Sequence, residues 1–126
     1  MKVTIDRVIR LEGEIFVDFS TDFGAAVAVW SGDLPTVGEI HDVELDVMER
    51  IVWGGSAHCA LSNVYSIQIE NGSIKLTGRI ISIEDGTAAV DVAGSLILIE
   101  IVGFSGNTPV FVDLEIKKIA LFSTGV

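Results

Sequence analysis

An internal repeat constrains the fold of this chain more than any other feature of its sequence. The segment DVELDVMERIVWG, residues 42–54, returns in altered form as FVDLEIKKIALFS, residues 111–123. In both copies an alternating acidic and aliphatic run leads into a second apolar run that ends on an aromatic residue, Trp53 or Phe122. Alternation with a period of two is typical of a strand with one buried face. The repeat therefore predicts two related β units.

A second pair of segments extends the repeat. RVIRLEGEIFVDF at residues 7–19 aligns with RIISIEDGTAAVDV at residues 79–92 when one extra residue is placed at Asp85. The alignment places Gly13 and Gly86 in equivalent turns, where glycine adopts a positive φ at little cost. We therefore predict repeat units at residues 2–54 and 74–123, which residues 55–73 connect.

These units are too small to bury much surface alone, so we predict a single all-β domain over residues 1–126. We expect one barrel or sandwich of about 8–10 antiparallel strands, built from two repeated β-meanders related by a pseudo-twofold. The Asn71-Gly72 pair predicts a tight hairpin. Residues 57–63 fit either a helical turn or a loop.

The apolar run LILIEIV, residues 96–102, would be a hazard in an open sheet, because long apolar edges recruit other chains. Closure into a barrel would remove that edge, and a homodimer would cover it. The sequence leaves both solutions open.

The charge balance points to a basic partner. The chain has 18 acidic and 8 basic residues and a formal net charge of −10. Such a balance argues against binding to nucleic acid, whose phosphates favour clusters of Lys and Arg. The first 56 residues hold 11 of the 18 acidic residues but 4 of the 8 basic ones, so we expect any specialised acidic surface in the first half.

No catalytic or metal-binding motif stands out. His41 and His58 are the only histidines, and Cys59 is the only cysteine. Neighbours on a strand point to opposite faces, so His58 and Cys59 would not converge. We predict that Cys59 is buried and that His58 lies in a loop. Along HDVELD, residues 41–46, alternate carboxylates would be about 7 Å apart, which is too wide for one ion to bridge. We therefore predict no enzyme activity, no metal and no cofactor.

The sequence also favours a cytoplasmic protein that does not enter a membrane. No apolar run reaches the length of about 18 residues that a membrane-spanning helix needs. The first residues, MKVTIDRVIRLEGE, alternate and carry charges, without the apolar region of a secretory signal. A single cysteine needs no oxidising compartment.

These observations favour an acidic strand face that binds a basic protein. The segment WSGDLPTVGEIHDVELDV, residues 30–47, resembles loop and strand segments of small bacterial proteins of the immunity kind. We therefore predict an immunity-like or antitoxin-like protein that neutralises a basic toxin, in the first place a nuclease. The predicted partner-binding residues are Asp33, Glu39, Asp42, Glu44, Asp46, Glu49, Trp30 and Trp53.

Other interpretations remain at this point. The acidic residues would also suit a strand face that only contacts solvent, and both tryptophans would suit the core. The alternative functions are a structural or self-assembling β-barrel module and a barrel that binds a small apolar ligand.

Overall fold

The computed structural model describes residues 1–124, and these residues form strands and no helix. The first six strands are β1 (Lys2–Leu11), β2 (Glu14–Thr21), β3 (Gly24–Ser31), β4 (Ile40–Val47), β5 (Ile51–Val52) and β6 (Ala57–Cys59). The next six are β7 (Ser66–Glu70), β8 (Ser73–Glu84), β9 (Thr87–Val92), β10 (Ser95–Val102), β11 (Val110–Ile116) and β12 (Ile119–Ser123). The all-β prediction is confirmed.

Tight turns join many of these strands. The turns with positive φ at both residues are Glu12-Gly13, Asn71-Gly72, Asp85-Gly86 and Ala93-Gly94. Two left-handed residues make a type I′ turn, whose twist matches that of the flanking strands. Gly13 and Gly86, at φ 82° and 78°, take the second place of matched turns.

The hairpins β1–β2 and β8–β9 each contain a bulge. The pairing of β1 with β2 shifts between Ile5 and Arg7, and the pairing of β8 with β9 shifts between Ile80 and Ser82. The insertion predicted at Asp85 does not lengthen the turn, because Asp85-Gly86 has two residues, as Glu12-Gly13 has. A bulge lets the strand absorb one residue while the turn keeps its favourable length of two.

Five strands close into a barrel. β1 pairs with β2 and β4, and β2 pairs with β3. β12 completes the ring, because it pairs with β4 in the antiparallel direction and with β3 in the parallel direction. The barrel of the first half is therefore closed by the last strand of the second half.

The second half has a related pattern of pairing. β8 pairs with β9 and β11, and β9 pairs with β10. β5 comes from the first half and pairs in the parallel direction with the end of β10, while β6 pairs with β11. Each half thus receives a strand from the other.

This exchange corrects part of the predicted architecture. The described residues contain twelve strands rather than about 8–10, and three pairings are parallel: β3 with β12, β5 with β10 and β3 with β7. The pseudo-twofold stays a prediction. Side chains from both halves join one continuous hydrophobic cluster, in which Phe19, Ile5, Leu76, Ile80 and Leu114 are almost completely buried. Burying each such side chain contributes roughly 1.5–3 kcal/mol.

Candidate protein-binding surface

Three of the predicted acidic residues form a row on the outer face of β4. Val43, Leu45 and Val47 point into the barrel and are buried. Asp42, Glu44 and Asp46 alternate with them and point outwards, the first two exposed and Asp46 half-buried. Residues two apart on a strand are about 7 Å apart. We call these three residues the acidic row.

The carboxylates of the acidic row have no compensating partner. Within residues 1–124, none of the three takes part in an ion pair or accepts a side-chain hydrogen bond. Their neighbours across the sheet are Lys2 opposite Asp42, Phe122 opposite Glu44 and Ala120 opposite Asp46. Only the first of these neighbours carries a positive charge.

The other predicted acids lie beyond the ends of β4 and bond to nearby groups. Glu39 Oε1 accepts a hydrogen bond from the Thr36 N–H at 2.6 Å and lies 3.3 Å from His41 Nε2. The Thr36 hydrogen bond, and next the His41 hydrogen bond, hold the pKa of Glu39 below its usual 4.5.

Glu49 Oε1 accepts hydrogen bonds from the backbone N–H groups of Lys117 at 2.7 Å and Lys118 at 3.2 Å. Glu49 therefore holds the turn between β11 and β12, on which closure of the barrel depends. The Asp33 side chain is exposed, and its backbone carbonyl accepts a hydrogen bond from Trp30. Asp42, Glu44 and Asp46 share the outer face of β4, whereas Glu49 lies beyond the end of β4 and bonds to the turn between β11 and β12.

The two tryptophans are packed against the protein. Trp30 is only 4% exposed, its Nε1 donates to the Asp33 carbonyl at 2.8 Å, and its ring contacts His41 edge-on at 4.9 Å. Trp53 is half-buried and contacts the Phe104 ring edge-on at 4.7 Å. Trp30 therefore supports the loop that follows β3 rather than presenting an indole to a partner.

A cleft borders the acidic row at Asp42 and Glu44. It separates residues 42–45 of β4 from residues 95–97 of β10, and Met1 and Thr124 complete its lining. On the β10 side, Leu96 and Leu98 point outwards and are each 62% exposed. The acidic row thus stands beside an apolar strip.

The sequence carried a signal for this strip. In the run LILIEIV, Glu100 is the only charged residue, and a charged residue marks the outer face of a strand. The same parity puts Leu96 and Leu98 outside, while Ile97, Ile99 and Ile101 are buried. Nothing in the pattern could show that this strand lies beside β4.

The residues considered for chemistry are dispersed. Cys59 was predicted to be buried, but it is exposed at the end of the short strand β6. His58 was predicted in a loop and lies on β6, exposed and opposite Asp113. Within residues 1–124, no group of three or more His, Cys, Asp and Glu residues could hold a metal ion.

Comparison with protein families, with curated proteins and with solved structures found no match to this chain. No helix able to cross a membrane occurs within residues 1–124.

Proposed function

We propose that this protein is a non-catalytic binding protein of the immunity or antitoxin kind. In this proposal the acidic row on β4 binds a basic protein partner, in the first place a nuclease toxin, and blocks the cationic surface that would hold phosphate. The observation that carries the proposal is that Asp42, Glu44 and Asp46 point outwards on a rigid strand and lack ion-pair partners among residues 1–124.

The physical basis is electrostatic complementarity. In the free protein water contacts the three carboxylates, so the absence of ion-pair partners costs little free energy. Against Lys or Arg side chains they would form charge-assisted hydrogen bonds, which are stronger than neutral ones. The net charge of −10 would attract a basic partner over a distance and speed association.

The second half gives the contrast that supports this choice of face. If the two halves are descendants of one duplicated unit, as we propose, Asp113 and Glu115 on β11 correspond to acids of β4. Asp113 accepts a hydrogen bond from Thr77 Oγ1 at 2.5 Å, and Glu115 lies opposite Lys75. Asp113 is therefore engaged by a neighbour, whereas the three carboxylates of β4 have no such hydrogen bond within residues 1–124.

The roles of the other residues follow from their contacts. Phe122, 39% exposed beside Glu44, and Leu96 across the cleft would supply apolar contact next to the charges. Glu39 and Asp33 would extend the negative field at one end of the row, while the tryptophans would act as supports. We place this activity in the cytoplasm, where an antitoxin meets its target.

A binding experiment tests the proposal. The chain would be co-expressed with the product of the neighbouring reading frame, and affinity would be measured by calorimetry at low and high salt. The test variant reverses the acidic row: Asp42→Lys, Glu44→Lys and Asp46→Lys. The control reverses three exposed acids at hairpin ends, Glu12→Lys, Asp22→Lys and Glu84→Lys, which changes the net charge equally.

We expect the row variant to lose affinity by about 100-fold or more, because reversal replaces attraction by repulsion at the contact. The control should lose only the long-range part, about tenfold or less, and mainly at low salt. Equal losses in both variants would mean that only net charge matters and would contradict the assignment to β4. Retention of binding by the row variant would reject it outright.

A further inference from the structure

β7 and β12 approach the same edge of β3 at different places and leave a gap between them. On the side away from β2, β3 pairs with β7 at Gly24 and with β12 at residues 29–31. Within the described chain no strand pairs with that side of β3 at residues 25–28. A groove of about 250 Å³ lies in this gap, between the β7–β8 hairpin and the turn that joins β11 to β12.

Apolar side chains form most of the lining of this groove. Ala28, Ile74 and Ile119 are buried residues, yet all three line it. Val27, which is half-buried, and Ile69, which is exposed, line it nearer to solvent. The groove therefore reaches from the surface to buried residues of the protein.

The charged part of the lining is basic. Lys117 and Lys118 line the groove, and no acidic residue among residues 1–124 does. Lys118 Nζ lies 6.0 Å from the centre of the Phe16 ring, which also lines the groove, and 3.4 Å from Glu14 Oε2. Lys117 takes part in no ion pair within the described residues. In a chain with 18 acidic and 8 basic residues, this lining reverses the overall charge balance.

The turn that carries the two lysines is held in place. Glu49 Oε1 accepts hydrogen bonds from the backbone N–H groups of Lys117 at 2.7 Å and Lys118 at 3.2 Å. A ligand that binds here therefore does not have to order the turn. Ordering less of the protein lowers the free-energy cost of binding.

The lining specifies the chemical class of a ligand. An uncharged apolar chain would leave the lysines without a partner, and a small inorganic anion would gain nothing from the apolar walls. A short apolar chain that ends in a carboxylate uses both, because its methylene groups are buried while its carboxylate accepts charge-assisted hydrogen bonds. The groove is smaller than the sites of about 300–1,000 Å³ that hold drug-sized ligands, so the chain has to be short.

We propose that this groove binds a fatty acid of short or medium chain length. Its apolar chain lies against Val27 and Ile69, and its carboxylate lies at Lys117 and Lys118. An acidic protein segment is a less suitable occupant, because a chain of net charge −10 repels a polyanion more strongly than a ligand with a single charge. The site does not include the acidic row, so the proposal is independent of the proposed function.

The first part of the test uses octanoate with the unmodified protein. Methyl groups are followed by NMR during a titration. We expect saturable shifts at Val27, Ile69 and Ile74, and nuclear Overhauser effects from these methyl groups to the octanoate chain. Each buried methylene group raises affinity by about fourfold, so octanoate should bind at least about tenfold more tightly than butyrate, which is four methylene groups shorter.

A cation with the same chain, octyltrimethylammonium, separates the groove from general association with the surface. The net charge of −10 attracts this cation to the protein as a whole. General association therefore predicts tighter binding of the cation. The lysines predict the reverse order at Val27 and Ile69, with octanoate bound at least about fivefold more tightly there.

The second part removes the two charges from the groove. The variant Lys117→Gln with Lys118→Gln should bind octanoate about fivefold or more weakly than the parent, because its carboxylate loses both cationic partners. The control is Lys2→Gln with Arg7→Gln, which changes the net charge equally at two exposed residues outside the groove. The control should bind octanoate within about twofold of the parent, since distant exposed charges are screened.

Several results would overturn the proposal. These are absence of saturable shifts at Val27 and Ile69, shifts that appear instead at Leu96 and Leu98, tighter binding of the cation at the groove, and equal losses in both glutamine variants. Melting curves are recorded for both variants, and if the Lys117/Lys118 variant does not fold, the titrations of the unmodified protein decide. The variant with the reversed acidic row should bind octanoate at least as tightly as the parent, so failure of either proposal can be told from failure of the other.

Discussion

β3 and β10 hold matching places in the two halves, since each is the third strand of a meander, but their edges are treated differently. β3 is approached by β7 at Gly24 and by β12 at residues 29–31, and its first half is built from glycine and alanine. β10 pairs with a second strand only at its last two residues, and its side chains are mostly leucine and isoleucine. Small residues permit close approach of another backbone, as β7 approaches β3 at Gly24.

Substitution of Gly24 should have the largest effect on stability, because a side chain there would prevent the close approach of β7 to β3. A Cβ at Gly24 would lie 1.7 Å from the Ile67 carbonyl oxygen, and the residue has φ 141°. We expect Gly24→Ala to lower the free energy of unfolding by about 3 kcal/mol or more, through strain and separation of β3 from β7. Urea denaturation measures the loss.

Gly13→Ala is the matched control for Gly24→Ala. Gly13 also has a positive φ, at 82°, but a Cβ there would meet no atom within 4 Å. Gly13→Ala should lower the free energy of unfolding by only about 1 kcal/mol, because alanine is strained in the left-handed backbone conformation. Equal losses at Gly24 and Gly13 would show that the approach of β7 does not constrain the edge of β3.

The turns at Gly13 and Gly86 should lose similar amounts of stability on substitution, although the edges of β3 and β10 differ. Gly13→Val and Gly86→Val each place a β-branched residue at a positive φ, with no backbone atom closer than 3.9 Å to the new Cβ. We expect each variant to lose about 1–2 kcal/mol, and the two losses to agree within about 0.5 kcal/mol. Chemical denaturation of both variants beside the parent gives these values. A variant that unfolds like the parent would remove that turn from the comparison.

The smallest expected effect concerns the loop before β4. The pKa of Glu39 is lowered by the Thr36 hydrogen bond, so its stabilising contribution is complete above pH about 4.5 and is lost as the pH falls through the lowered value. Glu39→Gln should melt slightly below the parent near pH 7, and the difference should shrink as the pH falls through the lowered pKa of Glu39.

Glu12→Gln is the control for Glu39→Gln, because Glu12 is an exposed turn residue. Glu12→Gln should leave the melting temperature near pH 7 unchanged. A difference between Glu39→Gln and the parent that persists at low pH would mean that the Thr36 contact does not depend on charge.

Much of the strand content could be predicted from alternation and turn residues. The Asn71-Gly72 turn and the parity of β4, with Val43 and Leu45 inside, follow from local pattern, and the acidic row follows from that parity. The burial of Trp30 also had a signal, since Ala26 and Ala28 share its parity.

The remaining features depend on partners distant in sequence. Alternation does not record which strand a segment pairs with, so the parallel pairing of β12 with β3 could not be predicted. The hydrogen bonds of Glu49 to Lys117 and Lys118 likewise depend on where a remote turn comes to rest. The prediction that Cys59 is buried was wrong, because in a strand of only three residues most positions lie at an end of the strand.

The exchange of strands between the halves also determines when the protein can fold. During synthesis β1 to β4 emerge first, but the barrel that they begin stays open until β12 has left the ribosome. Until then residues 43–47 of β4 lack the strand partner that β12 supplies, and closure requires contacts between distant parts of the chain, which form slowly. The nascent first half would therefore depend on the speed of translation, and on chaperones, in a way that a self-contained barrel would not.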